Sequence, residues 1–152
     1  MTHDEMLQYV RHKLGDGVPL VGHMQLDVVS WKPGQVIVEA PLRPNLNTHG
    51  TAFGGSLYCI ASMAGWAITH LTLMEAGFMP SVWIVKGEIN YMRPVRGALH
   101  ATALLSEEAR TGLVEQFKTR GKAKTTVEIH VQEEGQDCVL LTALYAAVTQ
   151  DT

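Results

Sequence analysis

At 152 residues, 18% of them charged and with a formal net charge of −3, the chain fits one domain with a sizeable core. It lacks the basic excess that nucleic acid or an anionic lipid surface would need. The two cysteines, Cys59 and Cys138, lie far apart in apolar surroundings, which reads as small core residues in a reducing compartment.

Residues Asp4 to Leu14 carry Met6, Leu7, Val10 and Leu14 at helical spacing, with Gly15 and Gly17 as stop signals, so a short docked helix is expected. The segment also bears Glu5, Arg11 and Lys13 and has no apolar centre of the secretory kind, so the expected location is cytoplasmic. Met24–Trp31 and Gln35–Leu42 read as two strands joined in a hairpin by Lys32, Pro33 and Gly34. Pro41 and Pro44 then interrupt pairing. A polar loop over 45–53 leads into a long helix that runs to about Ala76, before Gly77 and Pro80. Ser81–Met92 reads as a strand, and Ala98–Leu105 as its antiparallel partner across Arg93, Pro94, Val95, Arg96 and Gly97. Glu107–Thr119 has helical spacing, with Gly121 just beyond it. Lys122–Glu133 alternates between an apolar face from Ala123 to Val131 and a polar face from Lys122 to Gln132. Cys138–Thr149 is apolar on both faces, which suits a central or interface strand.

Ala52 to Met74 holds no Lys, Arg, Asp or Glu and is long enough to cross a bilayer. Against a membrane span stand His70, several hydroxyls, Gly65 and the absence of flanking basic clusters. The other segments also read as amphipathic strands in need of an apolar cover. A buried helix is therefore expected, with Ala61, Ala64 and Gly65 small enough for sheet backbone to approach. Six mostly antiparallel strands curved around one long helix make a single α+β domain over 1–152.

The run Asn47, Thr48, His49, Gly50, Thr51, Ala52, Phe53, Gly54, Gly55, Ser56 opens the long helix on two glycines. A bare helix start presents unpaired N–H groups at the positive end of the helix dipole, where they can hold a carbonyl oxygen or an oxyanion. The bland reading is that the glycines let the loop turn tightly against the sheet. No His, Cys, Asp or Glu spacing suggests a metal site, and no Gly-rich nucleotide-type phosphate loop occurs.

This loop, the apolar helix behind it and the run from Glu88 to Gly97 together resemble the hotdog-fold acyl-CoA thioesterases over about 20–149. With its Gly-Thr-Ala-Phe-Gly-Gly loop and a helix before Arg120, Gly121 and Lys122, the chain is most similar to the thioesterase domain that some bacteria fuse behind a GNAT-type acetyltransferase. The resemblance implies a homodimer or dimer of dimers, with sheets joined edge to edge and two sites between subunits. It implies an acyl-CoA or related acyl thioester as substrate, with coenzyme A present only as part of that substrate and no other cofactor.

Gly55, with Gly54, would supply the oxyanion donors. Relatives place an Asp or Glu about two turns into the helix; here that position holds Ser62, which cannot take up a proton at neutral pH and whose plain alternative is a bond back to the preceding turn. Asn47 and His49 match residues that lie beside the thioester in the superfamily. His49 carries the only imidazole in the motif and is the first candidate for base or proton shuttle, against a plain turn role for both. Phe53 stands where many relatives carry His and is expected to wall the acyl pocket. His23 and Glu88 remain candidate proton acceptors from the strands, and His70 and Glu75 candidate capping or interface residues. Arg93 and Arg96 are candidates for the coenzyme A phosphates, with Arg120, Lys122 and Lys124 as equal rivals. A non-catalytic acyl-thioester binding module is the rival from another class, and a hydratase or dehydratase on the same fold is a third.

Overall fold

A computed structural model describes residues 1–150. Helix α1 (His3–Gly17) opens on a capping box, in which Thr2 and Glu5 satisfy one another's backbone N–H groups, and it buries Met6, Val10 and Leu14. A second helix, α2 (Pro19–Met24), follows where the sequence suggested the approach to a strand. Pro19 fits its first turn, and Gln25, left-handed at φ 57°, ends it, so that strand β1 begins only at Asp27 (Asp27–Lys32). Strand β2 (Gln35–Ala40) returns antiparallel across Pro33 and Gly34, the latter at φ 87° as a Pro-Gly turn requires.

A single 3-10 turn (Arg43–Asn45) and the polar loop then lead into α3 (Gly54–Glu75), the axis of the domain. Its most apolar stretch is long enough to cross a membrane, yet 78% of that window is buried inside the protein. Ile60, Ala61, Ala64, Ala67, Ile68, Leu71 and Leu73 have no exposed surface. At Gly65 the space is taken by a side chain and not by the sheet backbone expected there: a Cβ would lie within 2.5 Å of the Tyr145 ring, whose hydroxyl donates to the Ser62 carbonyl at 2.6 Å.

The remaining elements are β3 (Pro80–Tyr91), β4 (Leu99–Leu104), α4 (Glu107–Arg120), β5 (Lys122–Glu133) and β6 (Gln136–Thr149). All six strands form one antiparallel sheet in the order β1-β2-β4-β5-β6-β3, curved around α3. This is the α+β hotdog architecture expected from the resemblance.

The expected hairpin of β3 with β4 does not form. Strand β3 pairs with β6 at one edge, whereas β4 sits between β2 and β5. The connection 92–98 is no turn: Met92 and Arg93 donate to the Cys138 carbonyl, and Val95 is fully buried, so the segment crosses the end of the sheet. Strand β5 alternates as its pattern foretold, with Ala123, Thr125, Val127, Ile129 and Val131 buried against α3. Only its second half pairs with β4. Helix α4 covers the first half, where Gln116 bonds the Lys124 backbone in both directions.

Candidate active site

The loop before α3 is built around two asparagines. Asn45 is 1% exposed and donates through Nδ2 to the carbonyls of Met24 (3.0 Å) and Pro41 (2.8 Å), while its backbone carbonyl accepts the Phe53 N–H at 2.7 Å. Asn47 Oδ1 accepts the N–H groups of His49 (2.8 Å) and Thr51 (3.1 Å), and its Nδ2 donates to Thr51 Oγ1 at 2.7 Å. Asparagine suits this place because its short amide can close a turn that the backbone cannot close alone. Gly50, at φ 80°, is where the chain reverses. The Asn47 side chain is thus engaged inside the loop, while His49 and Gly50 stand exposed at its tip.

The loop delivers an uncapped helix. Phe53 occupies the N-cap position with no side-chain bond, and the first turn holds no acid. Leu57 N–H is the first to find a carbonyl, that of Phe53 at 3.0 Å, so the N–H groups of Gly54, Gly55 and Ser56 have no acceptor among the described residues. Neither glycine has a positive φ, so conformational freedom does not explain them. At Gly55 a Cβ would meet the ring of the exposed Phe53, with Cδ2 and Cζ both at 3.1 Å, so a side chain there would have to push that ring aside. At Gly54 the Tyr91 ring lies at van der Waals distance from the Cβ position, and the Tyr91 hydroxyl donates to the Gly54 carbonyl at 2.9 Å. Burial, with Tyr58 nearby, raises the Tyr91 phenol above its ordinary pKa, so it stays a neutral donor. The rim of this helix start is apolar and open: Leu46, Phe53, Tyr91 and Met92 are 46–54% exposed.

Three further bonds hold the loop from outside. Ala52 N–H donates to the Val95 carbonyl at 2.8 Å, and the Glu133 carboxylate accepts the N–H groups of Arg96 (2.9 Å) and Gly97 (2.8 Å). The β5–β6 turn therefore pins the 93–97 segment, which in turn pins the loop. Neither Asn45 nor Glu133 stood out in the sequence. Asn45 follows Pro44 and Glu133 ends a polar stretch, and their roles come from contacts 21 and 36 residues away in the chain.

The remaining candidates are scattered. Ser62, 7% exposed, donates its hydroxyl to the Cys59 carbonyl at 2.9 Å, the bond back to the preceding turn. Glu88 pairs with Thr142, which pairs with Glu128, on the sheet face turned away from α3, whereas Gly87 lies under Tyr58 of the helix. Glu88 and the helix start are thus on opposite faces. Arg93 donates to Gln136 Oε1 at 2.7 Å, and Arg96 is exposed beside Glu133. His70 is fully buried between Tyr9 and Trp66, far along the helix, and Glu75 faces His3 at 3.1 Å. Neither contributes to the loop.

Residues 7–149 match the family model described as "Putative thioesterase (yiiD_Cterm)". Among solved structures, a protein of unknown function from Chlorobaculum tepidum superposes with a TM-score of 0.90 at 28% identity, covering 98% of each chain. A putative thioesterase from Shewanella oneidensis gives 0.86 at 29% identity, over 95% of this chain and 99% of that one. A probable thioesterase from Pseudomonas aeruginosa gives 0.79 at 24% identity, over 94% and 95%, and at that identity speaks for the fold alone. Because the matched span takes in the loop, the uncapped helix and all six strands, the chain belongs to this thioesterase family of the hotdog superfamily.

Proposed function

We propose that the protein hydrolyses acyl-CoA thioesters as a homodimer, holding the thioester oxygen on the N–H groups at the start of α3. The observation that carries this reading is that open helix start, with bare donors ringed by Leu46, Phe53, Tyr91 and Met92. Donors fixed before the reaction stabilise a tetrahedral oxyanion without reorganisation, and the helix dipole adds roughly 0.3–1 kcal/mol for negative charge there. The apolar rim suits an acyl chain, with Phe53 as one wall. His49, exposed at the loop tip, is the candidate base that draws a proton from the attacking water. Asn47 is a positioning residue, because its amide is engaged in the turn that sets the loop.

The dimer reading is supported by β3, a 12-residue edge strand that with the next residue leaves Trp83, Ile84, Val85, Tyr91 and Met92 exposed. A long apolar edge invites pairing with a second copy. Tyr58 and Tyr91 would then stand at the seam, beside the helix start.

A second reading, a module that binds acyl thioesters without cleaving them, is favoured by Ser62, whose hydroxyl is already bonded where relatives carry a carboxylate. The two separate in one experiment. Purified protein is given acyl-CoAs of graded chain length, and free thiol and bound acyl-CoA are both measured. Hydrolysis predicts thiol release that His49→Ala abolishes; tight binding without release establishes the binding module instead.

A further inference from the structure

Aromatic rings close the seam between α3 and β3 at three stations. Tyr91 reaches from the strand to the Gly54 carbonyl at 2.9 Å, Tyr58 reaches from the helix onto Gly87, and Trp66 donates through Nε1 to the Val82 carbonyl at 2.9 Å. We infer that the middle ring, Tyr58, determines the acyl length the protein accepts, ending the acyl site about four carbons past the thioester carbonyl. The inference rests on the reading that the start of α3 holds the thioester oxygen.

Tyr58 is half-buried and packs against the core, with its ring in a notch of β3. A Cβ on Gly87 would lie 3.0 Å from Tyr58 Cζ, with the hydroxyl nearer still, so a side chain there would have to push the ring aside. Leu141 of β6, fully buried, backs the notch, with Cδ1 at 3.3 Å from the same point. Burial first, and then the neighbouring Tyr58, raises the Tyr91 and Tyr145 phenols above their ordinary pKa. Tyr58 thus stands between the ring at the helix start and the ring deeper in the core.

Tyr58 follows Gly54 by four residues and Gly55 by three, so it lies on their side of α3. It is one helical turn, about 5.4 Å, further along the axis. Carbon–carbon bonds of about 1.5 Å, zigzagged, cover that length in about four carbons. The other way out runs over the half-exposed Leu46, Phe53, Tyr91 and Met92, where further methylenes stay in contact with water and gain less. Beyond Tyr58, the same side of α3 carries Ser62 and then Gly65, which lies against the Tyr145 ring. Removing the Tyr58 ring therefore opens one further turn, as far as Tyr145. Pairing of β3 with a second copy leaves the notch unfilled, since Gly87 meets α3 on the face of the strand and not at its open edge.

Values of kcat/KM for straight-chain acyl-CoAs from acetyl to decanoyl test the limit. Each methylene that enters a dry seam should raise kcat/KM roughly threefold, so the wild-type profile is expected to climb to about four carbons and then level or fall. Tyr58→Ala should extend the climb by about four carbons and raise the octanoyl-to-butanoyl ratio roughly tenfold or more. Tyr58→Phe keeps the ring and should keep the wild-type profile. Far-UV circular dichroism checks that the variants fold, and a ratio taken within each variant cancels any loss of active protein. A wild-type profile that climbs through octanoyl overturns the proposal. So does an equal octanoyl-to-butanoyl ratio in wild type and Tyr58→Ala, or a Tyr58→Phe profile shifted as far as that of Tyr58→Ala.

If no acyl-CoA releases thiol, hydrolysis fails by itself and the length limit is read from affinity. Isothermal titration with the same series is then expected to show the same cut-off and the same change of ratio in Tyr58→Ala. Wild-type affinity that climbs through octanoyl, or no binding at any length, overturns the limit.

Discussion

Replacing Gly65 with alanine tests how closely sheet and helix are fitted. In an ordinary helix interior this change stabilises, by roughly 0.5–1 kcal/mol. Here the new methyl would lie within 2.5 Å of Tyr145 Cε2, with Cζ and the hydroxyl nearer still. To reach normal contact the ring must retreat by roughly 1 Å. Its hydroxyl now sits 2.6 Å from the Ser62 carbonyl, and a retreat of that size breaks the bond. Overpacking costs about 1–3 kcal/mol and two unpaired buried groups about 1–3 kcal/mol more. Against the helix gain, the net expectation is a loss of about 3 kcal/mol, or a Tm about 6–12 °C lower for a chain of this size. The assay is urea and thermal denaturation followed by circular dichroism, at one fixed protein concentration because assembly would add to stability. In a Tyr145→Leu background the same change should become mildly stabilising, since the helix term alone remains. A neutral or stabilising Gly65→Ala in the parent chain would refute the packing argument.

Asn45→Ala should cost about 2 kcal/mol, because the buried carbonyl of Met24 and the partly buried one of Pro41 lose their donor. Asn45→Asp should be no better, since a carboxylate there would face two carbonyls; hydrogen exchange at Phe53 N–H reports whether the loop loosens in both. His70 lies fully buried with neither ring nitrogen bonded, and desolvation, with Lys13 nearby, lowers its pKa to about 4. Its folded pKa is below the unfolded value of about 6.5, so its contribution to stability is full above that pH and is lost as pH falls toward 4. His70→Leu should therefore be neutral or stabilising at pH 7.5 and should flatten the loss between pH 6.5 and 4, by roughly 3 kcal/mol. Denaturation midpoints across that range measure it, and an unchanged acid slope would show that other groups carry it.

Helix α3, the β1–β2 hairpin, the alternation of β5 and the end of α4 at Gly121 were all legible along the chain, because each rests on neighbours within a few residues: periodicity, a Pro-Gly turn, a glycine after the last helical turn. The β3–β4 hairpin was misread for the same reason. Proline and glycine between two strands look like a turn, and nothing local discloses that Val95 is buried or that β6 competes for the edge of β3. Helix α2 was missed because six residues are too few to show a period. At the site, the loop motif marked the place, but chain order could not tell which side chains are free. His49 stands open and Asn47 is engaged, and the difference is one of hydrogen bonding, not of residue type.

By itself, then, the amino-acid order determined that this is one apolar helix inside an antiparallel sheet, and that the helix opens on a polar loop and two glycines. Hydrophobic period and turn chemistry are local properties, and they are written residue by residue. Only the tertiary structure decided what surrounds the glycines. Their backbone is ordinary helix, and the rings of Phe53 and Tyr91 lie against the helix start they open. It also decided that Glu133, from the far end of the sheet, holds the segment on which the loop rests, because such contacts exist only once distant strands have chosen their partners.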